Sequence, residues 1–395
     1  MGKKFGNVGV VNLMKATEKS MAEIDEIRNA GTVIYSPETA HLLTQLKIGN
    51  LGTSFSIEGE VKSISGVLEI DANYLKQATN EVTILASGAI IIDQDVTPEL
   101  LSETKLKLIV SGSVYSPSHL KGSVQMIISK QSGALAIYTG EKPKMTVGQL
   151  NLSNGYLQSL NDSSYLVVTG AIYFSEDLDL ELFRQKISNI DLSGKIFIYE
   201  HQEAAFSNKG VVIGKTIVIP TGYEYVSKRI EASNLSLKRF KGKSISTTKP
   251  IILRKDVSRD AFESSFSKIH SSSYIICHEE IEDLVYEKLD LLETEVFSYS
   301  NAFKLITGET WTESDFSLLE EDTVLIVAEN FKVEGSISKE AMAHLKEIVL
   351  LDTITVEDVA VKSLLQTKVI YSEGDIVLQQ PSHASDLENI GELTL

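Results

Sequence analysis

The chain repeats itself at a shift of 82 residues, and nothing else in the sequence constrains its fold as strongly. The segment from Gly66, GVLEIDANYLKQATNEVTILASGAIII, lies without a gap over that from Gly148, GQLNLSNGYLQSLNDSSYLVVTGAIYF. In both, an apolar run ends in Gly-Ala-Ile, at Gly88 and Gly170, and continues into an acidic, leucine-rich stretch, DQDVTPELL or SEDLDLELF. Weaker copies follow as SISTTKPIILRKDVSRDAF and VLIVAENFKVEGSISKEAM, so the long period is about 80 residues.

A shorter beat runs inside the long one. AGTVIYSPETAHLL (from Ala30), SGKIFIYEHQEAAF (Ser193), SSYIICHEEIEDLV (Ser272) and LDTITVEDVAVKSL (Leu351) share a plan. A small residue leads into a β-branched or aromatic run, then a turn, then residues at helical spacing. Such runs read as strands, and PETAHLLTQLKI or LDLELFRQKI as short amphipathic helices. The stretch after Lys209, GVVIGKTIVIPTGYEYVSKRIEASNLSL, reads as a longer, extended coil that closes a unit. A length of 395 residues would ordinarily suggest two or three globular domains. The repeats predict instead an α/β repeat, an elongated solenoid of about fifteen strand–turn–helix coils sharing one parallel sheet, because a lone coil cannot bury its apolar side. The expected organisation is a single continuous solenoid over 1–395, in triads near 5–82, 83–163, 164–242, 243–321 and 322–395.

The coil length and LLTQLKIGNLG (Leu42 to Gly52) resemble leucine-rich repeats, and Asn7, Asn29 and Asn50 each stand two residues before a glycine, much like that family's turn asparagine. Later coils depart from the pattern: the asparagine is lost and the leucines become Ile, Val or Tyr. The resemblance implies a protein-recognition scaffold.

Counting from the small residue at each strand entry, the second position holds Val33, Ile90, Val114, Ile172, Ile196, Ile251, Ile275, Phe331 and Ile354. Alternation points this column into the core. The third position should face outward and be polar, yet it holds Ile34, Ile91, Tyr115, Tyr173, Phe197, Ile252 and Ile276. Two readings follow. Either the strands are bulged or the long third coil folds over the sheet, or the column is a protein-binding strip centred on Tyr115, Tyr173 and Phe197.

The net charge of -17 argues against nucleic acid as partner. A basic band nevertheless stands out at Lys228, Arg229, Lys238, Arg239, Lys241 and Lys243. From Glu279 to Glu329, fifteen acids face only Lys288 and Lys304. The pair of bands suits partner steering, head-to-tail contact between copies, or merely two solvated edges.

Catalytic signals are weak. GVVIGKT (Gly210 to Thr216) is one residue short of a phosphate-binding loop and reads as strand. Cys277 and His278 are neighbours on a strand and point to opposite faces, so Cys277 reads as a buried thiol. Asp93 with Asp95, and Asp177 with Asp179, sit where helices start, as capping residues do. The expected function is a noncatalytic protein-interaction or self-assembling scaffold, with no cofactor or metal and with another protein or copies of itself as partner. The alternative is a carbohydrate-active solenoid enzyme using clustered carboxylates. One cysteine, no apolar leader in MGKKFGNVGVV and no run long enough to span a membrane predict a cytoplasmic protein. Little sequence is left for end caps, which favours end-to-end assembly.

Overall fold

The computed structural model describes residues 2–64, 66–78, 80–86, 88–110, 112–131, 133–379 and 388–395. The chain divides into two compact units. One is Met1–Ile198 with Gln202–Ile217 and Ser382–Leu395, and the other is Tyr199–His201 with Val218–Pro381.

Strands stack in parallel, four levels at a time. In the first stack, Lys3–Asn12, Ile24–Tyr35 and Ile48–Ser56 lie side by side, and Glu388–Thr394 pairs with the outer edge of Lys3–Asn12. In the second stack each coil makes two short strands. Glu60–Ile64, Val82–Ala86, Leu106–Val110 and Ile128–Gln131 form one sheet, and Val67–Ile70, Ala89–Ile92, Val114–Pro117 and Leu135–Tyr138 another. The third stack returns to long strands in one sheet: Lys144–Leu152, Ser164–Phe174, Ile187–Tyr199 and Gly210–Ile219. In the second unit, the fourth stack begins at Glu224–Tyr225 and the fifth at Ala302–Thr307, each again split into two sheets.

Short helical returns join the levels within a stack. Helices of four to eight residues do not persist alone, so caps and packing hold them. Asp71 accepts from the Tyr74 N–H at 2.7 Å, Thr97 from Leu100 at 3.2 Å and Asp358 from Ala360 at 2.7 Å. Phe183, Phe262 and Phe316 anchor the returns, each fully buried, with burial of such a side chain worth about 1.5–3 kcal/mol.

The inward column is interior as expected. Val33, Ile90, Val114, Ile172, Ile196, Ile251, Ile275, Phe331 and Ile354 are all at most 1% exposed. Register stacks them: Ile90 opposite Val114, Ile172 opposite Ile196, Ile251 opposite Ile275, and Phe331 opposite Ile354. GVVIGKT lies within a strand.

Two expectations need correction. The described strands form eight small parallel sheets and not one continuous sheet. Stacks also begin about 20 residues before the expected triads, at Glu60, Lys144, Glu224 and Ala302. Both differences have one cause. After its last level each stack hands the chain to the next without a helix, through residues 57–59, 139–143, 220–223 or 300–301. The supposed long third coil is therefore the last strand of one stack followed by the first of another.

Candidate functional site

The third-position column is not an open strip. Ile34 packs with Ile57 and Leu85, joining the outer faces of the first and second stacks. Ile91 and Tyr115 meet Tyr138, Tyr165 and Val167 between the second and third. Ile252 and Ile276 pack with Phe297, Val324, Ile326 and Val349 between the fourth and fifth. Tyr173 and Phe197 stack with ring centroids 4.3 Å apart, Phe197 buried and Tyr173 half-buried. Around Ile34, Ile91, Tyr115, Ile252 and Ile276 the apolar face is covered by residues of an adjoining stack. Desolvation pushes the Tyr115 phenol up to about 12.

The six basic residues are all exposed and belong to the first coil of the fourth stack. Lys243 pairs with Glu224 at 2.6 Å, and Arg229 stands 3.8 Å from Glu231. Lys238 and Arg239 lie on the return Ser236–Phe240, with Arg239 over the Phe240 ring. Among the described residues, Lys228, Lys238 and Lys241 have no carboxylate within 4.0 Å. The same stack turns acidic at its far levels, where Glu282–Lys288 forms a return; Asp283 there holds Arg259 at 2.6 Å. Charge is thus graded from coil to coil.

Three of the four paired carboxylates, Asp93, Asp95 and Asp179, serve the fold. Asp179 caps its own helix through the Glu181 and Leu182 N–H groups, at 2.9 and 3.0 Å. Asp95 accepts from Ala72 N–H at 3.0 Å, bridging to the start of the preceding coil's helix. Lys142 holds Asp93 at 3.1 Å and Glu69 at 2.6 Å. Against the desolvation that would raise it, the bonds from Lys142 and from the Gln94 N–H keep the Asp93 carboxyl below its usual range. Cys277 is buried and its thiol is pushed up to about 12, chiefly by desolvation, which makes it a poor nucleophile. His278 is hydrogen-bonded to Ser300 O at 2.7 Å and accepts from Glu280 N–H at 3.3 Å, as a cap. Among the described residues, no three His, Cys, Asp or Glu converge as metal ligands would.

Strand edges are the surfaces left with unspent backbone bonding. In the third stack, Lys144–Leu152 and Gly210–Ile219 are the two outer strands, each with one side unpaired by any described strand. They are long and partly apolar: Val147 is 78% exposed, Val211 62% and Ile213 73%. Through the sheet runs a column of glycines, Gly148, Gly170, Gly194 and Gly214, with φ from +102° to +146°. A Cβ on Gly170, Gly194 or Gly214 would stand 1.8–2.0 Å from the carbonyl oxygen of the glycine one level below, so no side chain fits.

The first stack has its own ladder. Asn50 donates to Asn29 and Asn29 to Asn7, each at 2.7 Å. These asparagines sit within strands and not at turns, unlike the family position they resemble; Leu42 and Leu43 lie on a 3-10 turn, Ala40–Gln45. Asn7 in turn donates from its backbone N–H and from Nδ2 to Oδ1 of Asn389, at 2.8 and 2.9 Å. The role of the C-terminal strand was not expected from the sequence, although Asn389-Ile390-Gly391 carries the Asn-x-Gly signal. Beside it, Gly9, Gly31, Gly391, Leu85, Lys130 and Glu392 help line a cleft of about 570 Å³.

Comparison with protein-family models, with curated proteins and with solved structures gave no match. Among the described residues, no helix is long and apolar enough to cross a membrane.

Proposed function

We propose that this chain is a noncatalytic scaffold that binds protein, copies of itself first, by adding strands to its stack edges. The supporting observation is the third stack, whose two outer strands run in the same direction and carry Gly148 and Gly214 in one column. An edge of unpaired N–H and C=O groups flanked by exposed Val and Ile is a template for another strand. Gly210–Ile219 of one copy on Lys144–Leu152 of the next would continue both the ladder and the glycine column, a head-to-tail contact that can repeat. The proposed compartment is the cytoplasm, a setting that suits the unpaired thiol of Cys277.

Sedimentation velocity over a concentration series tests this. The native chain should grow in size with concentration, and a Val211→Lys, Ile213→Lys variant should grow less, because edge lysines block strand addition. A native chain that stays monomeric throughout, or a variant that assembles equally well, contradicts the proposal.

A further inference from the structure

We propose that the outer side of Lys3–Asn12 is a strand-acceptor site, and that its occupant, Glu388–Thr394, is exchanged between copies of this chain. This rests on the strand-edge reading above and assigns it a specific edge and partner.

The occupant is a repeat of the strands it joins. Asn389-Ile390-Gly391 matches Asn7-Val8-Gly9, Asn29-Ala30-Gly31 and Asn50-Leu51-Gly52. Register agrees with the match: Val8 lies opposite Ile390, Val11 opposite Leu393, and Asn12 opposite Thr394. The strand therefore supplies the fourth level that the other stacks draw from contiguous sequence. Its anchoring is local and polar. Besides the two bonds from Asn7 to Asn389, Ser63 Oγ donates to Glu392 Oε1 at 2.8 Å, and Leu395 N–H donates to Asn12 O at 3.0 Å.

Apolar burial adds little. Ile390, Leu393 and Leu395 are only partly buried against the first-stack core. An element held by backbone pairing with little buried apolar area belongs to the low-stability end of a structure, where local opening is cheap. Its bonds to the neighbouring strands reach residues far away in sequence, Asn7 and Asn389 being 382 positions apart. The C-terminal strand of a second copy can make the identical set, which is the condition for exchange of an element between protomers. Pairing within one chain has the advantage of an effective concentration of about millimolar, so exchange grows as the protein becomes concentrated.

The test mixes two single variants, Asn7→Cys and Asn389→Cys, by co-refolding at rising concentration, followed by mild oxidation and non-reducing electrophoresis. Light scattering is recorded on the same samples. Exchange predicts a disulfide-linked species of twice the chain mass that contains one copy of each variant and increases at least severalfold with concentration. The buried Cys277 should form no such species in the native chain. Should either substitution impair folding, Val10→Cys with Glu392→Cys probes the next pair in register. Assemblies without a mixed cross-link overturn the exchange and leave the third-stack reading standing. Samples that never assemble overturn both.

Discussion

The first and third stacks solve one structural problem with different parts of the chain. Both are single sheets of long parallel strands in which a glycine column permits close approach of adjacent levels. The third takes its four strands from contiguous sequence, Lys144 to Ile219. The first takes three from residues 3–56 and the fourth from Glu388–Thr394. The difference teaches that the four-level stack is the module, and that its fourth level can come from a distant part of the chain. It also separates two kinds of glycine. In the third stack Gly170, Gly194 and Gly214 are locked by positive φ as well as by contact. In the first, Gly9, Gly31 and Gly52 are required by contact alone, since their Cβ positions lie 2.4–2.7 Å from a carbonyl oxygen one level below.

The largest effect should follow from Gly194→Val. Its Cβ would stand 1.8 Å from Gly170 O at φ +142°, and we expect a loss of at least about 4 kcal/mol in urea unfolding. A loss below half of that would dissolve the distinction between the two columns. Next comes Ile34→Ala on the covered outer face of the first stack, expected to cost about 2–4 kcal/mol by the same measurement, where an exposed strip residue would cost almost nothing.

Gly9→Ala should cost about 1–2 kcal/mol, because its Cβ meets Gly391 O at 2.5 Å. In a chain ending at residue 387 that cost should vanish, and an equal loss in both chains contradicts the pairing. Gly391→Ala meets nothing within 4 Å and should stay within about 0.5 kcal/mol of the native chain. The smallest effect is electrostatic and belongs to the third stack. The hydrogen bond from Lys186 holds Asp162 below its ordinary 3.8. Its contribution is therefore present above that value and lost as pH falls through the lower folded one. Stability measured between neutral and strongly acid pH should lose this small slope in Asp162→Asn.

Much of the interior was legible in the sequence. The coil beat and the column from Val33 to Ile354 follow from alternation, which depends only on backbone geometry. The outer column was ambiguous for a physical reason: periodicity shows that Ile34, Ile91 and Tyr115 share a face, but the layer that covers them comes from another repeat. Stack boundaries were displaced because residues 57–59 or 220–223 join two strands without a helix and resemble one long extended coil. Asn389-Ile390-Gly391 was readable in principle, but it stands isolated from its fellow repeats, 382 positions from Asn7. Of the candidate residues, the basic ones do gather on one coil, while Asp93, Asp95 and Asp179 are drawn into caps and ion pairs.

Completion of the first stack by the far end of the chain is tested most directly by amide hydrogen exchange on the full chain and on one ending at residue 387. The Asn7 N–H, which donates to Asn389 Oδ1, should be protected in the full chain and exchange rapidly in the shortened one, while residues 164–174 of the third stack stay unchanged. Equal protection of Asn7 in both chains would contradict the account.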